Sequence, residues 1–481
     1  MLEGLEISIL KRSELDSIQN RIDPEFYSKR YIKYENVLER QGYRTLADYG
    51  AQLDCSAFYP AITDYYNFVG EGIPFIRVNE IQDGMVRITT STAFLPSSVI
   101  ELNSNTIART YPNDIIIAKG GNTLAKVGIV TDKYPEYAVS RDVIILRTHC
   151  IPENLRYYIW AFMHSLYGYD SMIRTASQTG QPHLTLPFIS TLKIPMMSNV
   201  FFATIKDSYK KALDIQEKAE VAYNEAKERI EQVLNIDHIV VESQVQPRII
   251  LSVNKSFCKS GRIDAEYYQP LYDLYEELVN NYQNGKEIIS EICNIQDTNY
   301  QPEPIREYKY IELSNIGKYG NIEDFTKGEG YELPTRARRI VATGDVIVSS
   351  IEGSLDSCAL VTEEYNEALC STGFYVVRSS FFNPETLLIL FKSKPIQMLM
   401  KKGCSGTILT AISKNELAKI PLPLITEDVQ EQIAQKVQQS FFLRNESKRL
   451  LNVAKTAVEI AISENEDTAL NYLKESDNDK A

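Results

Sequence analysis

The side chains best suited to chemistry in this 481-residue chain lie in short, polar, glycine-bearing stretches. One set comprises Tyr59, Tyr65, Tyr66 and Asn67, then Lys119-Gly120-Gly121-Asn122-Thr123, then Ser177-Gln178-Thr179-Gly180-Gln181-Pro182-His183. A second comprises Asn299-Tyr300, Ser350, Ser354 and Lys401-Lys402-Gly403-Cys404-Ser405-Gly406-Thr407. Amide side chains pair bidentately with adenine and basic ones with guanine in a DNA major groove, while lysine also suits phosphate. For any one of these residues a solvated turn is the plainer reading. Taken as sets near basic residues, they are candidate nucleic-acid contacts: Tyr59, Tyr65, Tyr66, Lys119, Asn122, Thr123, Ser177, Gln178, Thr179, Gln181 and His183, then Asn299, Tyr300, Ser350, Ser354, Lys401, Lys402, Ser405 and Thr407.

Catalytic signatures are missing. There is no G-x-x-x-x-G-K-[ST] nucleotide loop, neither Gly120-Gly121 nor Gly353 belongs to a G-x-G-x-x-G fingerprint, and no [DNS]-P-P-[YFW] amino-methyltransferase motif occurs. Glu225-Ala226-Lys227 has the letters of a Mg²⁺-dependent nuclease core but falls inside a heptad helix. The seven cysteines form no C-x-x-C pair, and His149, His164, His183 and His238 stand at unrelated spacings. Reduced thiols, no metal site, no cofactor and no catalytic residue are expected.

The elements that must position the loops are written twice. Arg21-Ile22-Asp23-Pro24-Glu25-Phe26-Tyr27 returns as Arg262-Ile263-Asp264-Ala265-Glu266-Tyr267-Tyr268. Pro74-Phe75-Ile76-Arg77-Val78-Asn79-Glu80-Ile81 aligns with Lys309-Tyr310-Ile311-Glu312-Leu313-Ser314-Asn315-Ile316, and Asn113-Asp114-Ile115-Ile116-Ile117 with Gly344-Asp345-Val346-Ile347-Val348. Ser140 and Arg147 match Ser371 and Arg378, and Leu192-Lys193-Ile194-Pro195 matches Ala418-Lys419-Ile420-Pro421. The offset shrinks from block to block, as it does when loops change length on a kept framework. Arg21, Asp23, Arg262 and Asp264 read as structural, an ion pair or a cap, because both copies keep them while the polar loops diverge. Short β-branched and aromatic strands alternate with turns in each half, and helices are predicted over 154–175 and 384–402. The fold class is α+β.

Each half ends in a long 3,4-spaced seam: Phe202, Ile205, Tyr209, Ala212, Gln216, Ala219, Tyr223, Ala226, Ile230 and Val233, then Gln430, Ile433, Val437, Ser440, Arg444, Ser447, Leu451, Ala454, Val458 and Ala461. Both carry a small residue every seventh place and one long polar one, Gln216 or Arg444. An antiparallel pairing of the two is expected. The resulting layout is a recognition domain over 1–196, a spacer helix over 197–240, a second domain over 241–424, a second spacer over 425–465 and an acidic flexible tail over 466–481. The net charge is −13, which is awkward for a DNA binder; residues 463–481 hold six acids against Lys474 and Lys480, a local −4. The longest apolar runs are strand-sized, and Glu3 and Glu6 stand where a secretory signal would be basic, so a cytoplasmic protein is expected.

With this layout the chain resembles the specificity subunits of Type I restriction–modification systems. The resemblance rests on the R-I-D-x-E-[FY]-Y opening, the strand around Gly72-Ile73-Pro74-Phe75-Ile76-Arg77-Val78, and the blocks Ser177 to Pro195 and Cys404 to Pro423, and it spans almost the whole chain. It implies two target-recognition domains held apart by an antiparallel coiled coil acting as a ruler; about 30 helical residues span roughly 45 Å. It also implies double-stranded DNA read at two half-sites, two methyltransferase subunits using S-adenosylmethionine, and restriction/translocase subunits using ATP and Mg²⁺. The contrasting reading is an acidic coiled-coil scaffold that assembles proteins and reads no DNA.

Overall fold

The computed structural model describes residues 7–12, 15, 21–68, 70–88, 92–176, 182–236, 261–406 and 410–478. The chain divides into two units, Met1–Ile215 with Asn445–Ala481, and Gln216–Arg444.

In the first unit the strands Gln52–Cys55, Val143–Arg147, Ile115–Ala118, Val127–Ile129, Met85–Val86 and Ile81–Gln82 form one sheet in that order; Ala93–Leu95, Ile73–Ile76, Tyr137–Val139 and Arg109–Thr110 form another. The central strands are apolar throughout because both faces are covered. Ile116, Ala118, Val143 and Ile145 join Ile76, Tyr137 and Val139 in one cluster, while Ile115, Ile117, Ile144 and Leu146 join the helices in another. This alternation is the period-2 consequence of a strand sandwiched on both sides.

The second unit repeats the plan with four and four strands: Cys293–Gln296, Phe374–Ser379, Val346–Ser349 and Cys358–Leu360, and Thr326–Glu329, Glu307–Ile311, Leu369–Ser371 and Ala337–Ile340. The aligned blocks share even a parallel pairing, Ile76 opposite Val139 and Ile311 opposite Cys370. In each copy an arginine ion-pairs with the buried aspartate that opens a central strand, Arg147 with Asp114 at 3.2 Å and Arg378 with Asp345 at 2.6 Å. The fold is α+β.

Two sequence expectations need correction. Each predicted domain helix is broken at a serine, giving Glu153–His164 with Leu166–Thr175, and Pro384–Lys392 with Lys394–Gly403. Ser165 Oγ donates to Phe162 O at 2.6 Å and accepts from Gly168 N, so it closes one helix and caps the next; Ser393 Oγ donates to Leu390 O at 2.6 Å, and Pro395 stands in the first turn of the helix that follows. The acidic segment expected to be a flexible tail is instead helical over Glu466–Asn478, because Ala469 and Leu473, one turn apart, are buried in the first unit's core.

The spacers are the helices Asn199–Leu234 and Glu427–Ser463. Ile205, Tyr209 and Ala212 are buried in the first unit with Leu451, Ala454 and Val458; Tyr223, Ala226 and Ile230 are buried in the second with Ile433 and Val437, and Ala219 and Ser447 are buried as well. The pairing is antiparallel within each unit. In the second, Ser440 Oγ donates to Ala219 O at 2.7 Å, and Lys436 and Gln432 meet Glu225 and Arg229. In the first, Ser447 Oγ donates to Ala212 O at 2.8 Å and Ser198 N to Glu466 at 2.8 Å. A hydroxyl can reach a facing backbone carbonyl only because the seventh-place residues are small. Arg444, the polar seam position, lays its guanidinium 3.3 Å from the centre of the Tyr319 ring.

Candidate nucleic-acid interface

Strand pairing brings two loops together in each unit, and the R-I-D motif fixes the root of one of them. Arg21 grips Asp23 through two nitrogens, lies over the Phe26 ring and donates to Ala176 O at 3.2 Å; Arg262 grips Asp264, lies over Tyr267 and donates to Cys404 O at 2.8 Å. Tyr27 and Tyr268 donate back to the carbonyls of Arg21 and Arg262. Hydrogen bonds from their arginines hold the Asp23 and Asp264 carboxyls below the usual carboxylate range. The motif therefore clamps the end of the helix that precedes the polar block in each copy.

In the first unit Lys119 N donates to Asp142 O and Leu184 N to Lys119 O, both at 2.8 Å, and Gly120 forms a bridge with His183. Thr123 Oγ1 donates to Gly120 O at 3.3 Å. The His183 ring lies against Gly120, so closely that a methyl group there would stand 2.5 Å from Nδ1, and Nδ1 is buried without a hydrogen-bond partner. Tyr59 and Tyr66 both pack on Phe75, with centroids 6.2 and 5.7 Å away, and burial raises both phenols; Tyr65 stays exposed. Tyr59 also bonds the backbone of Arg141, next to the residue holding Lys119. Asn122 lies in the short turn Gly121–Thr123. Ser177, Gln178, Thr179 and Gln181 lie outside the described residues.

The second unit builds the same junction from other residues. Ile412 N donates to Ser350 O at 2.8 Å, Glu352 N to Thr410 O at 3.0 Å, and Ile351 bridges Ala411. The small-against-large pair Gly120 and His183 is thus reversed as Ile351 and Ala411. Ser350 Oγ donates to Gly373 O, Ser354 Oγ meets Ser349 Oγ at 3.0 Å, and Ser405 pairs with Ala411 in a two-residue ladder. Asn299 is exposed; Tyr300 donates its N–H to Arg338 O at 2.5 Å and its hydroxyl meets that of Tyr308 at 3.1 Å.

Lys401 and Lys402 stand not in the loop but in the last turn of the helix Lys394–Gly403, where Lys401 Nζ lies 4.0 Å from Glu266. Lys402 is committed inside the unit: its side chain is 13% exposed, and although burial opposes its charge, the ammonium bonds Glu276 at 2.6 Å and Asp273 at 3.1 Å, which outweighs that burial. Thr407 lies outside the described residues. Sequence reasoning missed Arg336, Arg338 and Arg339 on and beside the edge strand Ala337–Ile340, although three arginines in four positions of an acidic chain were a visible signal. No group of three potential metal ligands occurs among the described residues, and no described helix is long and apolar enough to cross a membrane.

No family model and no curated protein matches the chain. Solved structures do. The chain is similar to the S subunit of a Type I restriction–modification system from M. genitalium, at 13% identity over 90% of this chain and 95% of that one, with a TM-score of 0.34. It is also similar to the HsdS subunit from Thermoanaerobacter tengcongensis, at 12% identity over 86% and 97%, TM-score 0.25. Over 39% of this chain and 29% of that one it is similar to the type IIG restriction endonuclease BpuSI, at 12% identity and a TM-score of 0.30.

Proposed function

We propose that the chain is the non-catalytic DNA-specificity subunit of a Type I restriction–modification complex, cytoplasmic and serving in phage defence. Each unit reads one half of a bipartite target on double-stranded DNA, and the paired helices set the gap. Two methyltransferase subunits and the restriction/translocase subunits dock on it and bring S-adenosylmethionine, ATP and Mg²⁺; the chain itself binds none of these. The observation carrying this reading is a junction of two loops repeated on one framework with different polar residues, Lys119, Gly120 and His183 in one copy and Ser350, Ile351 and Ala411 in the other. A kept framework presents two DNA segments in the same geometry, and divergent side chains read different bases.

The charge of −13 favours the scaffold reading. Partner subunits supplying phosphate contacts would reconcile it with DNA binding. Expression of the chain with its genomic neighbours, followed by genome-wide mapping of methylated positions, decides between them. Two short unrelated sequences at a fixed gap are expected. Absence of methylation, or one continuous motif, would overturn the proposal.

A further inference from the structure

The loops of the second unit converge on the edge strand Ala337–Ile340. Tyr300 N donates to Arg338 O, and Arg338 Nη1 donates to Gln301 Oε1 at 2.9 Å. Arg339 lies 5.3 Å from the centre of the Tyr375 ring, whose hydroxyl donates to Ile412 O at the loop junction. Strand pairing slips between Ala337 and Arg339, leaving Arg338 as the extra residue of a bulge, a device that re-aims neighbouring side chains.

Arg339 is paired differently from the other arginines that line these frameworks. Arg147, Arg378, Arg21 and Arg262 each hold a carboxylate. The Nε and Nη1 of Arg339 are buried with no hydrogen-bond partner, and Asp297, which attracts it, is bonded instead to Lys414 at 2.7 Å. Covered N–H groups without acceptors raise the energy of that position, so a ligand offering two acceptors would draw the guanidinium off the Tyr375 ring. At the equivalent place in the first unit, where Val139 N donates to the strand beside it, the residue is Ala108. A phosphate contact belonging to the framework would be common to both copies; a base contact would differ.

We infer that Arg339 is a base-reading residue of the second unit, parked on Tyr375 and swinging out to take the O6 and N7 acceptors of a guanine in the second half-site. This rests on the DNA-reading function proposed above and names a residue and base for it.

The test is selection from a pool of randomised duplex DNA by the full-length chain co-expressed with its neighbouring methyltransferase, as wild type, R339Q and R339K. Wild type should enrich a bipartite sequence with an essential guanine in one half. R339Q should lower the preference for that guanine about ten- to hundredfold and leave the other half unchanged. R339K keeps a cation over Tyr375 but replaces the planar fork by an ammonium, so it should weaken the preference for the guanine without abolishing it, and by less than R339Q; it carries the test if R339Q melts well below wild type. An undiminished guanine preference in R339K, or an equal loss for all duplexes with a shallower salt dependence in either variant, overturns the inference, the latter pointing to phosphate. A wild-type complex that enriches no sequence removes the proposed function itself, and the inference with it.

Discussion

Gly120→Ala isolates the loop junction of the first unit. The backbone there is extended, at φ −168° and ψ −173°, which any residue adopts, so the methyl group meets only what surrounds it. It would stand 2.5 Å from His183 Nδ1, 2.7 Å from Cε1 and 3.2 Å from Pro182 O. Carbon needs about 3.5 Å, so the imidazole must retreat by roughly 1 Å, with the Pro182 carbonyl limiting where it can go. Overpacking of this kind costs about 1–3 kcal/mol, and strain on the Leu184 N to Lys119 O bond adds up to about 1 kcal/mol. In a unit of this size each kcal/mol lowers the thermal midpoint by about 2–4 °C. Calorimetry of G120A, H183A and the double variant gives the coupling. Removal of the ring should restore most of the loss caused by the methyl group. A zero coupling energy would refute the packing of His183 on Gly120 and the junction built on it.

Acid should act through the two R-I-D clamps. Folded-state pKa values of Asp23 and Asp264 are lowered, so their contribution is complete above about pH 4, the unfolded value, and is lost as pH falls through the folded ones. Midpoints recorded from pH 5 to 3 should fall steeply in wild type and less steeply in the double variant R21M/R262M; identical slopes would remove the clamp from the account. Ser440→Ala and Ser447→Ala each delete one inter-helix hydrogen bond and should cost about 0.5–1.5 kcal/mol in urea unfolding, whereas Ser440→Leu should cost more by forcing the helices apart. No penalty for leucine would contradict the close approach. Deletion of 213–219 together with 440–446, one heptad from each spacer, shortens the pair by about 10 Å and should narrow the unread gap by about three base pairs with both half-sequences kept. An unchanged gap means the helices are not the ruler.

The repeat and the seams were legible because heptad and strand periodicities are local and each was written twice. The segment after Ser463 was misjudged because six acids masked Ala469 and Leu473, whose burial depends on a core formed by distant residues. The break at 165 was hidden because one hydroxyl closes one helix and caps the next, whereas at 393 the proline in the first turn of the following helix, Pro395, was a visible signal. Of the candidate contacts, the stretches around Lys119 and His183, and around Ser350 and Ser405, could be named from glycine and polarity, but not that they pair, because pairing joins residues more than fifty positions apart. Lys402 looked available because the acids that hold it, Asp273 and Glu276, stand far away in sequence on the helix Pro270–Asn280. The arginines 336, 338 and 339 were overlooked because the first copy has no matching cluster: the residue equivalent to Arg339 is Ala108.

If each unit reads its own half of the target, exchange of residues 1–196 for the corresponding segment of a relative should change one half of the methylated sequence, as read by genome-wide mapping of methylated positions. A new sequence is expected in that half, with the other half and the gap unchanged. A change in both halves would refute one-unit-per-half reading.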